Sequence, residues 1–334
     1  MKLKEIGEFG FIDRIAPLGR VRESGVVKGI GDDCAVLALD DTNHLLVTTD
    51  LLIEKVHFLM EWAPAEIIGA KALAVNLSDI AACGGSPRDA FISLAVPDRI
   101  EVEWLDGLYR GMRNLAQKYD VNLLGGDTTG SKHDLVINVA VTGVVPQNEV
   151  LYRHTALPGD VIALTGPVGE SALGLEILLQ ETDLPQQVKG PLIKAHLEPK
   201  PHVEQARLLA SSGACTAAID VSDGVSSDLG HICQESGIRG IIYENKIPVG
   251  QELSTAAGYF RKAPMEFILG GGEDYCLLVA LKPDMVDLIK THTANQGWNL
   301  LTIGFFEQGS GMELVRSDGS RIGLNSKGWD HFSK

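Results

Sequence analysis

The chain has 334 residues, 45% hydrophobic and 22% charged, which is long enough for two globular domains of ordinary size. Its net charge of −15 argues against non-specific nucleic-acid binding, which requires a basic surface. The five cysteines include no CxxC pair, so neither a disulfide framework nor a zinc site is expected. No apolar run approaches the roughly 20 residues of a membrane span, and the N-terminus lacks the apolar core of a signal peptide. We therefore expect a cytoplasmic protein with no membrane partner.

Segments rich in Val, Ile and Leu alternate along the chain with segments of helical periodicity. In chain order the pattern predicts strand 45–49, helix 65–83, strand 91–96, helix 102–119, strands 135–145 and 161–165, helices 171–180 and 203–211, strand 217–221, helix 225–236, strand 275–281, helix 285–296 and strand 301–306. This mixture predicts an α/β (or α+β) fold. A polar loop follows the strand that ends at Pro146, so we expect one domain over residues 1–150 and a second over 151–334.

Six short acidic motifs each place a carboxylate beside glycines or hydroxyl groups. They are Gly31-Asp32-Asp33, Thr48-Thr49-Asp50, Ser78-Asp79, Gly125-Gly126-Asp127, Asp220-Val221-Ser222-Asp223 and Gly270-Gly271-Gly272-Glu273-Asp274. At an effective dielectric constant near 20, two like charges about 4 Å apart repel by roughly 4 kcal/mol. Magnesium relieves such repulsion and usually brings phosphates with it. If the motifs converge in space, they predict a phosphate-transfer enzyme that holds its nucleotide through metal ions.

Each motif also has an ordinary structural explanation. Asp33 and Asp223 could cap helices, Asp50 could end a β-turn, and residues 125–132 could form a hairpin loop. Residues 125–132 resemble a phosphate loop, but Lys132 comes one place late for the Walker pattern. Asp79 is more informative, because it shares one face of an apolar helix with Asn76, and a carboxylate is rarely buried there without a partner. A non-catalytic calcium-binding module remains an alternative, although no EF-hand spacing is present.

Nine segments of the chain match a known family in order. They are residues 7–12, 29–35, 48–50, 57–58, 71–79, 125–128, 220–224, 271–275 and 328–332. On these segments the chain resembles the thiamine-monophosphate kinases, of the aminoimidazole ribonucleotide synthetase superfamily. The acidic motifs alone indicate only the superfamily, whereas His57-Phe58 and the C-terminal segment around Trp329 point to the kinases.

The resemblance implies two α/β domains, with the N-terminal sheet forming the interface of a homodimer. It implies direct in-line transfer of the γ-phosphoryl group of ATP to thiamine monophosphate, with several Mg²⁺ ions and no covalent nucleophile or general base. An ATP-dependent synthetase of the same superfamily remains the alternative. The selenide-activating member needs a reactive cysteine near its N-terminus, whereas the first cysteine here, Cys34, lies inside an acidic motif.

The resemblance also implies a role for particular residues. The magnesium ligands would be Asp33, Thr48, Thr49, Asp50, Asp79, Asp127, Asp220 and Asp223. The ATP contacts would be Gly126, Asp127, Arg153 and Ser222. The thiamine site would contain His57, Glu273 and Trp329. Glu273 would suit either the cationic thiazolium or the aminopyrimidine, and Trp329 could stack on a ring.

Overall fold

A computed structural model describes residues 2–22, 24–325 and 328. Trp329, which the resemblance assigns to the thiamine site, lies outside the described residues. The strands are β1 (Val26–Lys28), β2 (Ala35–Ala38), β3 (Asn43–Ile53), β4 (Ser86–Pro97), β5 (Asn122–Ser131), β6 (Val136–Pro146), β7 (Val161–Leu164), β8 (Cys215–Asp220), β9 (Arg239–Tyr243), β10 (Leu277–Leu281), β11 (Leu301–Glu307), β12 (Gly311–Val315) and β13 (Arg321–Leu324). The helices are α1 (Gly7–Gly19), α2 (Ala65–Ala82), α3 (Val102–Tyr119), α4 (Glu170–Leu179), α5 (Gln186–Leu197), α6 (Val203–Ser212), α7 (Val225–Ser236), α8 (Gln251–Tyr259), α9 (Pro264–Gly270) and α10 (Val286–Asn295).

The first six strands form one sheet in the order β1-β2-β3-β6-β4-β5. Neighbours are antiparallel except β4 and β5, which are parallel. Residues along β6 alternate between buried and half-buried, as expected when one face of a sheet packs on a core and the other does not. The buried face packs on α2, which in turn packs on α3.

Helix α2 is apolar on almost every side and is buried along most of its length. A helix of this composition belongs inside a protein rather than on its surface. It contacts β3, β4 and β6 of the first sheet, and also α6 and β8 from the second half of the chain. The middle of the molecule is therefore built around α2, with the two halves meeting on it.

The last seven strands form the second sheet in the order β13-β12-β9-β11-β7-β10-β8. Every residue of β10 is buried, because this strand lies inside the sheet and both of its faces are covered. One face contributes Ala163, Ala218 and Val279 to the core that surrounds α2. The other face packs beneath α4, α7, α8 and α9 in a second core. No helix in the described ranges combines the length and apolar character needed to cross a bilayer.

Each of the predicted strands and helices is present, and the mixed α/β fold is confirmed. The hairpin-loop interpretation of residues 125–132 is wrong, because most of that segment lies in strand β5. Strands β1, β2, β5, β9, β12 and β13 and helices α1, α5, α8 and α9 were not predicted from the sequence. Most of the missed strands are three to five residues long, which is too short for a clear alternation of apolar residues.

The adjacent glycines Gly125 and Gly126 of β5 provide a matched pair for testing this geometry. Gly126 has φ +145°, and a Cβ atom there would lie 1.6 Å from the carbonyl oxygen of Ile92. A Cβ atom on Gly125 would meet no atom within 4 Å. We expect Gly126→Ala to destabilise the protein by about 3 kcal/mol or more, and Gly125→Ala to change stability by less than about 1 kcal/mol. Denaturant unfolding measures both, and equal stabilities would contradict the β4–β5 geometry.

Candidate functional site

Three carboxylates from distant parts of the chain meet where the two halves join. Asp33 lies in the turn between β1 and β2, Asp79 lies near the end of α2, and Asp220 is the last residue of β8. One carboxylate oxygen from each of the three residues lies within 4.8 Å of those from the other two. The structure therefore brings together three of the six acidic motifs, from both halves of the molecule.

Hydroxyl and amide groups hold these carboxylates in place. The hydroxyl of Thr48 donates a hydrogen bond to Oδ2 of Asp79 at 2.5 Å. The hydroxyl of Ser78 donates to Oδ2 of Asp220 at 2.6 Å. The backbone N–H of Asp50 donates to Oδ1 of Asn76 at 3.0 Å, which fixes β3 against α2. Asn76 and Asp79 lie on one face of α2, as their spacing predicts, and both bind residues of β3. These two contacts hold β3 beside the carboxylates.

Burial and repulsion from neighbouring carboxylates raise the pKa of Asp50, Asp79 and Asp220. Burial, followed by the charges of Asp50, Asp220 and Asp33, raises the pKa of Asp79 well above its usual range. Burial and the charge of Asp33 raise the pKa of Asp50 to about 6. The same two causes raise the pKa of Asp220 to about 8, against the hydrogen bond from Ser78. A divalent cation would let these groups ionise together, and their all-oxygen donor set suits magnesium better than zinc.

Arg153 places a cationic side chain beside this cluster. Its Nη2 donates to Oδ1 of Asp33 at 2.5 Å and its Nε donates to Oδ2 at 3.3 Å. The charge of Asp33 raises the pKa of Arg153, although burial alone would lower it. The guanidinium is thus held beside the carboxylates in a two-point contact, the geometry that also suits phosphate oxygens.

A second group of ligand-type side chains adjoins the first. Asp32, His154 and Glu235 place their ligand atoms within 4.8 Å of one another. The ammonium of Lys28 lies 3.8 Å from both Asp32 and Glu235. Because a lysine already compensates these acids, the group has an ordinary explanation as an ion-pair cluster.

Side chains along each strand of the first sheet point alternately to its two faces, and this places two of the predicted magnesium ligands away from the carboxylate cluster. Asp50 lies in register with Val139, Ile92 and Gly126 across β6, β4 and β5. Asp127 lies one residue further along β5, so its side chain belongs to the opposite face. Thr49 shares that face for the same reason.

Three strand spacings also separate β5 from β3, about 14 Å in all. The structure therefore does not bring Thr49 and Asp127 to the carboxylate cluster. Asp127 instead lines an open cavity of about 410 Å³ with Gly126 and Tyr109. Tyr109 belongs to none of the acidic motifs, so nothing in the sequence marked it as a residue of this cavity.

The loop that carries Ser222 and Asp223 is shaped by a residue that the sequence did not single out. The backbone N–H groups of Asp223 and Gly224 donate to Oδ2 of Asp228, at 3.3 and 3.0 Å. The carbonyl oxygen of Ser222 accepts the backbone N–H of Glu273 at 2.7 Å. The fifth and sixth motifs therefore touch directly, which couples the Asp220 loop to the Glu273 loop.

The two acids of the sixth motif have different surroundings. Asp274 accepts the backbone N–H groups of Gly169 at 2.6 Å and Ser171 at 3.2 Å, which caps the start of α4. Glu273 keeps its side chain near the seam and has φ +64°. Positive φ at a non-glycine residue is strained, and such strain is concentrated at functional sites.

His57 is held in a defined tautomer. The backbone N–H of Ile53 donates to Nδ1 of His57 at 2.9 Å. In the neutral imidazole the proton must therefore lie on Nε2.

Two α/β halves that meet on a cluster of aspartates define a known class of nucleotide-dependent enzymes. Sequence models of AIR synthase related proteins match the chain, the N-terminal domain over residues 31–145 and the C-terminal domain over residues 158–320. The thiamine-monophosphate kinase of Bacillus subtilis is 35% identical, covering 97% of this chain and 99% of the relative. That of Escherichia coli K12 is 36% identical, covering 98% of each chain. The chain therefore belongs to the thiamine-monophosphate kinase family.

Solved structures agree with this assignment. The structure of AaThiL complexed with AMPPCP and TMP superimposes with a TM-score of 0.86 at 33% identity, covering 99% of each chain. A thiamine monophosphate kinase from Aquifex aeolicus gives a TM-score of 0.82 at 32% identity, covering 97% of this chain and all of the other.

Proposed function

We propose that this protein transfers the γ-phosphoryl group of ATP to thiamine monophosphate, yielding thiamine diphosphate. The observation that carries the proposal is the convergence of Asp33, Asp79 and Asp220 at the seam of a fold shared with this kinase family. The homologous AaThiL structure holds AMPPCP, an analogue of ATP, together with TMP. A site rich in carboxylates suits two anionic substrates only when cations compensate the charge.

We propose the following division of roles among the site residues. Magnesium would be held at the cluster by Asp33, Thr48, Asp50, Asp79, Asp220 and Asp223, whereas Thr49 and Asp127 would bind it separately, on the other face of the first sheet. ATP would contact Gly126, Asp127, Arg153 and Ser222, and the thiamine site would contain His57, Glu273 and Trp329. When bound, magnesium neutralises charge that builds on the phosphate oxygens during transfer.

The chain's own residues would act by positioning. An acceptor phosphate oxygen attacks the γ-phosphorus in line, and the bond to the β–γ bridging oxygen breaks to release ADP. The attacking oxygen already carries charge at neutral pH, so no general base or covalent nucleophile is needed. Arg153, fixed by Asp33, would bind phosphate oxygens. The hydrogen bond between Ser222 and Glu273 would set the distance between the nucleotide and the acceptor.

We also propose a homodimer formed through the N-terminal sheet. Strand β5 is an open edge of that sheet. Leu51 and Phe91, on the face away from α2, are 48% and 41% exposed, and Leu124 in β5 is 59% exposed. Apolar residues of this size on one exposed sheet surface suit a partner surface. The mass in solution, measured by light scattering, tests the proposal, and a monomer would contradict it.

The division into residues 1–150 and 151–334 remains our proposal for the domains. It assigns each sheet to its own domain, since β6 ends at Pro146 and β7 begins at Val161. The separate family matches over 31–145 and 158–320 support it.

An acceptor screen with ATP and magnesium tests the proposed reaction. Thiamine, thiamine monophosphate and aminoimidazole precursors are offered in parallel, and the products are separated by chromatography. We expect thiamine diphosphate and ADP in equal amounts, formed only from thiamine monophosphate. Turnover with an aminoimidazole precursor and none with thiamine monophosphate would favour the superfamily synthetase instead.

A further inference from the structure

A buried network of polar side chains lies behind Glu273, formed by residues with no role assigned so far. Lys71, on α2, is 3% exposed, and its Nζ donates to Oε2 of Glu273 at 2.7 Å. His196, on α5, is 2% exposed and places Nδ1 3.2 Å from the same oxygen. The hydroxyl of Ser171 lies 3.1 Å from that nitrogen. The edge of Trp62 closes the far side of the imidazole, with ring centroids 6.2 Å apart.

The charges within this network cancel. Burial would raise the pKa of Glu273, but the positive charge of Lys71 and the neighbouring His196 outweigh it and lower the pKa. Burial and the charge of Lys71 lower the pKa of His196 to about 4, so its imidazole is neutral at neutral pH. One ammonium and one carboxylate remain, and Glu273 is therefore a charge-compensated anion.

The network engages only one oxygen of the Glu273 carboxylate. Both Lys71 and His196 contact Oε2. Within the described part of the chain no hydrogen bond reaches Oε1, and the side chain is 24% exposed. The backbone is fixed as well, because the N–H of Glu273 donates to Ser222 and the N–H of Tyr275 donates to Val221. Glu273 thus offers one oxygen in a fixed position, with its charge already compensated.

We propose that Lys71 is a positioning residue, which holds Glu273 as a hydrogen-bond acceptor for the exocyclic amine of the aminopyrimidine and not as a counter-ion of the thiazolium. The inference rests on the proposed function. A cation approaching Glu273 would meet the ammonium of Lys71 beyond it, and this repulsion would offset much of the cation's attraction to the carboxylate. An uncharged N–H donor gains the hydrogen bond without that repulsion.

An experiment on the wild-type protein tests which chemical group of thiamine monophosphate binds Glu273. Thiamine monophosphate is compared with the analogue in which a carbonyl oxygen replaces the exocyclic amine, since both keep the thiazolium. We expect KM for the carbonyl analogue to be at least about 30-fold higher, because two acceptor oxygens would face each other. Equal KM values would overturn the inference, and this measurement needs no variant to fold.

Variants of Lys71 and Glu273 test whether Lys71 positions the carboxylate. Lys71→Met keeps the length of the side chain and removes its charge. We expect its KM for thiamine monophosphate to rise about 10- to 100-fold, its KM for ATP to stay within about twofold, and its discrimination against the carbonyl analogue to fall below about threefold. Glu66→Gln, on the exposed side of the same helix, is the control and should change neither KM.

The double variant separates the hydrogen bond from the charge. In Lys71→Met with Glu273→Gln, a neutral amide oxygen can still accept the amine, so we expect KM for thiamine monophosphate to fall below that of Lys71→Met. A counter-ion role predicts no such recovery, and its absence would overturn the inference.

If wild type transfers no phosphate to thiamine monophosphate, the proposed function fails and this inference with it. If wild type is active and Lys71→Met keeps both KM values within about twofold, only this inference fails.

Discussion

Replacing Asp79 by asparagine lowers kcat by about 1,000-fold or more at saturating magnesium, if the carboxylate cluster carries the reaction. Asp79 accepts from Thr48 and lies within 4.8 Å of the carboxylates of Asp33 and Asp220. Asparagine keeps the shape of the side chain and removes one of the charges that would compensate the cations. Losses of electrostatic stabilisation at a transferring phosphoryl group have this magnitude. Steady-state kinetics over a magnesium titration measure the effect.

The same variant should not unfold the protein. Burial and three neighbouring acids raise the pKa of Asp79, so its ionised form is costly without a cation. An amide at that position removes the repulsion, and we expect the midpoint of thermal unfolding in chelator to stay the same or rise. Glu66→Gln, near the start of the same helix, should keep full activity. Near-normal turnover of Asp79→Asn at saturating magnesium would refute the multi-metal site.

The sequence predicted helix α2 and the long strands because their patterns are local. Strand β5 was missed for a physical reason. It is an edge strand whose residues are mostly exposed, so it lacks the apolar alternation that marks a strand. Its Gly125-Gly126 pair is typical of turns, and only pairing with β4 makes it a strand. Tertiary pairing therefore overrides local preference at this edge.

The site could be predicted in its chemistry but not in its geometry. The types of residue at Asp33, Asp79 and Asp220 indicated a cation site, whereas their approach within 4.8 Å depends on the packing of α2 between both halves. Asp274 carried the same local signal as Glu273, yet it caps a helix. Nothing in the spacing distinguishes these two acids, because the difference lies in which backbone N–H groups the fold places nearby.

Lys71 shows the opposite case, in which a residue with no local signal acquires a role. A lysine on an α-helix is most often solvated, and here it is buried by the second half of the chain. Its partner Glu273 lies 202 residues away. Such pairs can be found only from the structure.

The stability of the metal-free protein should fall as pH rises from about 6.5 to about 8, and magnesium should reverse the loss. Asp220 has an ordinary pKa of 3.8 and a folded pKa of about 8. Between these values the folded protein keeps a proton that the unfolded chain has released, so stability decreases as pH rises. Each carboxyl group of this kind lowers the free energy of unfolding by roughly 2 kcal/mol over 1.5 pH units. Buried His196 and His202, with pKa lowered to about 4, act in the opposite direction only below about pH 6.5.

Thermal unfolding with chelator or with magnesium, at pH 5.5 and pH 8, separates the cation effect from other titrations. Asp274 has a pKa raised to about 7 by burial and should lose stability with pH whether or not magnesium is present. Ionisation of the cluster carboxyl groups should lower the stability of the folded protein only in chelator. A bound cation stabilises the ionised carboxylates and so offsets the repulsion between them. We therefore expect magnesium to raise the unfolding midpoint by several degrees more at pH 8 than at pH 5.5. Asp220→Asn should reduce that difference, and a magnesium effect independent of pH would show that cations bind elsewhere.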